Sequence, residues 1–278
     1  MANEKQAPQK AINRGAPHQA PMNWRTHLYH ILQKTIIPLA LLIIWHVVTD
    51  VLGLFNRALF PSPMAVVRAF VSLIESGELF RNIVASLERI LYANVAALLL
   101  AVPIGLAIGL SRTTDRLFGG LLSVVRPIPP LAWVPMSILW FGIGGTSVVF
   151  ITFLAAFFAI LLNTTAGVRS ADPLLLRAAA CLGASKRRIL VRVVLPTVLP
   201  HIFTGFRIAI GVSWMSIVAA ELIAASSGLG YMISYYRELL RTDVIVVGMI
   251  TIGLIGLLMD FGSRWLEQRM LPWRVEVR

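Results

Sequence analysis

The chain has little cysteine, little acid and no nucleotide-binding signature. Its single cysteine, Cys181, excludes an intrachain disulfide and leaves the redox compartment open. The five histidines, at positions 18, 27, 30, 46 and 201, show no metal-ligand spacing such as His-Glu-x-x-His, which argues against a structural zinc or a metalloprotease. No Gly-x-x-x-x-Gly-Lys-Ser/Thr occurs, nor any Gly-Lys pair, so nothing is arranged to cradle nucleotide phosphates. Gly-x-Ser-x-Gly is also missing, and an intramembrane hydrolase is left without an assembled nucleophile and base.

What is present is apolar. Hydrophobic residues make up 57% of the 278 residues and charged ones 14%, and the mean hydropathy is +0.78. This is the composition of an all-α, polytopic membrane protein. Six hydrophobic runs, at about 36–55, 90–110, 121–141, 147–168, 203–225 and 244–263, approach the ~20 residues needed to cross a bilayer. The net charge of +12 would suggest nucleic acid as partner in a soluble protein; in a membrane chain it reflects Lys and Arg gathered in cytoplasmic loops, and no nucleic-acid partner is expected. With both termini inside, the cytoplasmic segments hold 17 Lys and Arg and the opposite side 5, so that orientation is the expected one. The chain then divides into a basic cytoplasmic tail (1–35), a transmembrane domain (36–264) and a short cytoplasmic C-terminal tail (265–278).

The tail carries Lys5, Lys10, Arg14, Arg25 and Lys34 against Glu4, with a short surface helix expected from Trp24 to Gln33. Between the first two runs, Pro61-Ser-Pro63 precedes apolar residues at 64, 67, 70, 71 and 74, the spacing of an amphipathic helix on the outer surface. Gly105-x-x-x-Gly109 in the second run permits close approach of another helix. In the third, Arg126-Pro-Ile-Pro-Pro130 and Pro135 make an unbroken helix untenable. Broken backbone at membrane depth survives where protein or a water-filled path surrounds it, so 126–135 is expected beside a translocation pathway. The fourth run is read as a plain packing helix.

The fourth and fifth runs are joined by a basic interruption, the coupling region 171–196. Asp172-Pro173 opens a helix with an acidic cap and proline at its first position, and Gly183 closes it. A second short helix is expected from Ser185 to Val194, halted by Leu195-Pro196.

This region resembles the cytoplasmic motif of ATP-binding-cassette importer permeases: Glu-Ala-Ala, three residues, Gly, nine residues, Ile, one residue, Leu-Pro. Here it reads Arg177-Ala178-Ala179, three residues, Gly183, nine residues, Val193, one residue, Leu195-Pro196. Arg177 stands where the general motif has Glu, a charge reversal familiar from the branch similar to nitrate, sulfonate and taurine permeases. Arg126-Pro-Ile-Pro-Pro-Leu-Ala-Trp-Val-Pro135, Trp140-Phe-Gly-Ile-Gly144, Leu182-Gly-Ala-Ser185, Val218-Ala-Ala-Glu-Leu-Ile-Ala224 and Gly228-Leu-Gly230 agree with that branch. Leu271-Pro-Trp-Arg-Val-Glu-Val277 and Arg241-Thr-Asp-Val244 look closest to taurine permeases.

The resemblance implies a type I importer permease in the bacterial inner (plasma) membrane. It implies a second permease copy as homodimer partner, two cytoplasmic ATPase subunits that bind ATP and Mg, and an extracytoplasmic substrate-binding protein. The chain itself would hold no cofactor and catalyse nothing. Arg177, Ala178, Ala179, Gly183, Ala184, Ser185, Leu195 and Pro196 would couple it to the ATPase. The expected substrate is a small anion, an organic sulfonate such as taurine, with nitrate or a bicarbonate-like inorganic anion as the rival. A stand-alone secondary transporter is the reading from another class, and no internal repeat supports it.

Ionisable residues at membrane depth are costly and usually paired or turned to a cavity. Glu221 is expected to be hydrogen-bonded or paired, with a gating role second. Arg207 either snorkels to the inner interface or faces a partner. Arg126, Pro129, Pro130, Trp133, Trp140, Ser213, Trp214 and Glu221 are the pathway candidates, with Ser137 and Ser216 as further polar candidates. Glu88 and Arg89 are read as having a local structural role.

Overall fold

A computed structural model describes residues 36–52, 56 and 59–270. The expected surface helix at 24–33 and the terminal stretch 271–277 lie outside the described residues. The chain divides into two units at Leu54. In the first, α1 (Ile36–Val51) is a short apolar helix ending in a π-turn, where Thr49 donates to the Trp45 carbonyl at 2.7 Å.

Among its described residues the regular structure of the second unit is all helical, joined by short turns. α2 (Pro63–Glu75) is followed by α3 (Glu78–Leu110), α4 (Arg112–Val125), α5 (Pro130–Phe141), α6 (Gly145–Arg169), α7 (Pro173–Cys181), α8 (Lys186–Ala224), α9 (Leu229–Glu238) and α10 (Thr242–Met270). Among the described residues, α3, α6, α8 and α10 are each long and apolar enough to cross a membrane, and α4 with α5, bent by 86°, form a fifth, broken candidate. Of the six hydrophobic runs, four therefore become single helices, the third becomes the bent pair, and the first becomes the shorter α1.

The prolines cause the break. Arg126 is still helical at φ −54° and ψ −41°; Pro130 drives the preceding Pro129 to extended backbone at φ −60° and ψ 140°, and Pro127, Pro129 and Pro130 lack the N–H donors a continuing helix would need. α5 restarts as a 3₁₀ turn, Pro130–Trp133, before becoming α-helical.

α6 is the central element: 44% of its apolar window is buried, against 22–33% for the other three spans. Small residues let its neighbours close in. A Cβ on Gly105 would lie 2.9 Å from the Thr164 Cβ, and one on Gly109 2.5 Å from that of Val168, so the Gly-x-x-x-Gly pair of α3 meets α6 over one full turn. On the other side of α6, Gly167 packs on His201 and Gly205 on Asn163, bringing α8 equally close. Ala97, Ala101, Ala156, Ile160, Leu161 and Ala209 fill the seam between the three helices.

α4 follows α3 directly: the Ser111 Oγ accepts from the Thr114 N–H at 3.3 Å and caps it where α3 ends. α2 buries Val66, Ala69 and Leu73 and leaves Met64, Val67, Phe70, Val71 and Ile74 exposed, an apolar face of the kind a helix lying on a lipid surface presents. The helix that begins at Ser185 is not halted by Leu195-Pro196. It continues through a π-turn at Leu190–Val194 into the fifth run, so α8 is one helix of 39 residues. A π-turn widens the ladder by one residue just where the proline ring would otherwise crowd the preceding carbonyls and leave one unpaired.

Candidate functional site

Two clusters of functional residues sit at opposite ends of α8. The first is the α7 hairpin. The Asp172 carboxylate accepts from the Leu174 N–H at 2.8 Å, with Pro173 at the first helical position. At the other end of α7 the Gly183 N–H bonds the Ala180 carbonyl at 3.0 Å and the Ala184 N–H reaches back to the Ala179 carbonyl at 3.1 Å. This is a Schellman stop, and Gly183 supplies its left-handed residue at φ +77°. Ser185 then caps α8, its Oγ accepting from the Arg188 N–H at 3.4 Å.

One side of the hairpin is anchored. Leu176, Ile189 and Leu190 pack against a buried cluster of Val168, Val194, Val198 and Ile202, which ties α7 to the ends of α3 and α6. The other side is open. Leu174, Leu175 and Leu182 are 71%, 57% and 87% exposed, and Arg177, Ala178, Gly183, Ser185 and Pro196 are exposed with them, while Ala179, Ala184 and Leu195 are half-buried. No ion pair of Arg177 is found among the described residues. The hairpin thus presents an apolar and basic face outside the buried cluster.

The second cluster closes the far end of α8. Glu221 is 1% exposed. The Arg89 Nη1 donates to its Oε1 at 2.7 Å, the Ser86 hydroxyl bonds the carboxylate at 2.9 Å, and the Gly230 N–H donates to Oε2 at 3.0 Å. Arg89 also bonds the Ser227 carbonyl at 2.7 Å and the Ser227 hydroxyl. The Gly228 N–H donates to Asn82 Oδ1 at 2.9 Å and the Leu229 N–H to the Ser86 Oγ at 3.0 Å. The free N–H groups that begin α9 are thus taken up by side chains of α3 and α8, with a carboxylate at the positive end of the helix. Gly228 has φ +106°, and a Cβ there would lie 2.2 Å from Glu221 Oε1. Two turns on, the Tyr236 hydroxyl donates to Glu78 Oε2 at 2.9 Å; burial, then that carboxylate, raises the phenol above its ordinary pKa and keeps it a donor.

Sequence reasoning put Arg89 beside Glu88 and missed its partner in α8. The available signal was spacing: Glu78, Asn82, Ser86 and Arg89 recur at four, four and three residues, a polar stripe along one face of an otherwise apolar helix.

The remaining candidates are dispersed. Trp133 and Trp140 lie with ring centroids 6.5 Å apart, and Trp140 packs edge-on against Phe150 at 5.8 Å, an aromatic patch along α5 and α6. Trp214 is elsewhere, 8% exposed, donating to the Ile252 carbonyl at 3.2 Å across to α10. Ser213 is buried and exchanges hydrogen bonds with Asn94 at 2.9 and 3.3 Å, Ser137 bonds the Val134 carbonyl, and Ser216 is buried. Arg207 pairs with Glu267 at 3.3 Å and lies 3.9 Å from Asp260. Arg126 and Pro129 are exposed at the break and Pro130 is half-buried. No group of His, Cys, Asp and Glu that could hold a metal is found among the described residues.

Comparison with known proteins shows the family. Residues 101–272 match the family model described as binding-protein-dependent transport system inner membrane component. The taurine transport system permease protein TauC of Escherichia coli is 39% identical over 267 residues, covering 94% of this chain and 97% of that protein. The bicarbonate transport system permease protein CmpB of Synechococcus elongatus is 33% identical over 261 residues, covering 89% and 92%. Among solved structures, an inward-facing conformation of the MetNI methionine ABC transporter matches with a TM-score of 0.57 at 17% identity, over 69% of this chain and 95% of that one.

Proposed function

The chain belongs to the family of binding-protein-dependent transport system inner membrane components and is an importer permease of the ATP-binding-cassette class; from that premise we propose that it passes a small anion, an organic sulfonate such as taurine. Its extensive likeness to a taurine permease supports that substrate, and its likeness to a bicarbonate permease supports an inorganic carbonate as the second reading. Both readings share one mechanism. Cytoplasmic ATPase subunits grip the exposed face of α7, two copies of the chain enclose the pathway, and an extracytoplasmic binding protein delivers the solute. ATP and Mg belong to the ATPase subunits.

The observation that carries this reading is the continuity of α8. At ~1.5 Å per residue its 39 residues extend ~58 Å, about twice the ~30 Å of bilayer hydrocarbon. Its first turns belong to the hairpin and its last turn is locked to α3 and α9. A displacement of α7 by an ATPase is therefore delivered as a rigid-body tilt of a spanning helix. The basic end that carries Arg112, Arg116, Arg169, Arg177 and residues 186–188 faces the cytoplasm in this scheme, the orientation that the distribution of Lys and Arg favours.

The test is reconstitution in liposomes with the cognate ATPase and binding protein. ATP-dependent taurine uptake is expected; uptake of bicarbonate without taurine would favour the second reading. Gly183→Leu has no neighbour to strike within 4 Å, but it strains the left-handed stop. It should leave insertion intact and uncouple hydrolysis from uptake, and unchanged uptake per ATP would sink the coupling assignment.

A further inference from the structure

α4 is amphipathic the wrong way round for a helix packed on a dry core. Leu117, Leu121 and Val124 are 69%, 60% and 71% exposed, while Asp115, Gly119, Ser123 and Arg126, spaced by four, four and three residues, line a cavity of about 170 Å³ shared with α6. The opposite wall is Phe158, Thr165 and Arg169 among apolar neighbours. The stripe lines an open cavity, with Asp115 and Gly119 half-buried and Ser123 and Arg126 exposed, and a polar-lined cavity in an apolar setting borders a path for polar cargo.

The charges inside are unequal. Arg169 is matched by Asp115 at 2.8 Å, whereas no ion pair of Arg126 is found among the described residues. The cavity thus carries one cation in excess. The Ser123 hydroxyl donates to the Gly119 carbonyl at 2.7 Å and the Thr165 hydroxyl to the Leu161 carbonyl at 2.9 Å, so the protons free to meet an anion are those of guanidinium groups. Resting on the importer reading above, we infer that this cavity is a transient binding site for a small, singly charged oxyanion, sulfonate or bicarbonate, with Arg126 as its principal contact. One cation without supporting hydroxyl donors holds an anion loosely, as a site in a conducting path must. Asp115, the one carboxylate lining the cavity, is already taken by Arg169 at 2.8 Å, so taurine's ammonium goes unread and taurine and ethanesulfonate bind alike.

The test uses the full chain with its cognate ATPase subunits in phosphatidylcholine nanodiscs, which supply no anionic lipid, titrated with radiolabelled taurine against unlabelled ethanesulfonate and bicarbonate. Saturable taurine binding is expected, with equal competition by ethanesulfonate. Arg126→Gln should weaken binding at least tenfold, and Arg126→Lys, which keeps the charge, less than threefold. Arg126 is exposed, so both variants should elute as wild type in size exclusion. Equal affinity of wild type and Arg126→Gln, or no saturable binding by wild type, overturns the site. Loss of taurine binding when phosphatidylglycerol is added assigns the cavity to lipid headgroups and overturns it as well. Uptake by the wild-type complex, measured in parallel, separates the two failures. Uptake that Arg126→Gln leaves unchanged sinks the site alone; no uptake of any of the three anions sinks the transport reading.

Discussion

The two ends of α8 are built on opposite principles. At one end the hairpin keeps Arg177, Lys186, Arg187 and Arg188 exposed, and the helix enters the bundle through a π-turn and a proline. At the other, Glu221 is sealed beneath Arg89, Ser86 and the first turn of α9. Hydrogen bonds among charged groups out of water are individually strong and fix one geometry; a solvated basic face fixes nothing until a partner arrives. The difference teaches where motion can be applied. One end is a pivot that the fold supplies, and the other is a handle that another chain must hold.

The most severe way to break this contrast is to unlock the pivot. Glu221→Ala leaves the Arg89 guanidinium, 12% exposed, without its carboxylate, and removing one partner of a buried pair costs ~3–5 kcal/mol. Thermal unfolding in detergent, followed by tryptophan fluorescence, should show the largest drop of any variant considered. A shift no greater than that of a surface substitution would mean the cluster holds nothing together. Gly228→Ala comes next. It forces a side chain onto φ +106° and against the Glu221 carboxylate, so about 1–3 kcal/mol of strain is expected, together with faster amide exchange in the first turn of α9. Gly183→Leu places a side chain on a similar backbone but in open space; ~1–2 kcal/mol is expected, with its main effect on coupling.

Hydropathy and local chemistry made much of this legible. The long apolar runs became α3, α6, α8 and α10, the proline cluster became the bend between α4 and α5, and Asp172, Pro173 and Gly183 bounded α7 as their residue types dictate. These signals act within a few residues. The Arg89–Glu221 pair spans 132 positions, and although the polar stripe on α3 marks a face, nothing local names Glu221 as what meets it. Pro196 misled for a related reason: its local rule is to stop a helix, and tertiary burial of Val194 and Val198 on both sides, with a π-turn to absorb the missing donor, carried the helix through. Trp214 and Trp133 looked equivalent in sequence, yet Trp214 bonds across to α10 while Trp133 packs beside Trp140.

The smallest expected change in stability is the sharpest test of the handle. Arg177→Glu restores the charge of the general importer motif. The side chain is exposed, no ion pair of it is found among the described residues, and it lies on the open face of α7, so the substitution should move stability by no more than about 0.5 kcal/mol. A charge reversal at the pivot would be ruinous; here the folded chain should not register it. If the handle is held through its charge, ATP-driven uptake with the cognate ATPase should fall at least tenfold, while the variant elutes and unfolds as wild type. Lowering the salt should then widen the gap between wild type and variant, because an exposed charge pair across a protein interface is screened over a Debye length of ~10 Å at 0.1 M salt. Uptake unchanged at low salt would place the grip on Leu174, Leu175 and Leu182 instead, and would make the contrast between the ends one of burial rather than of charge.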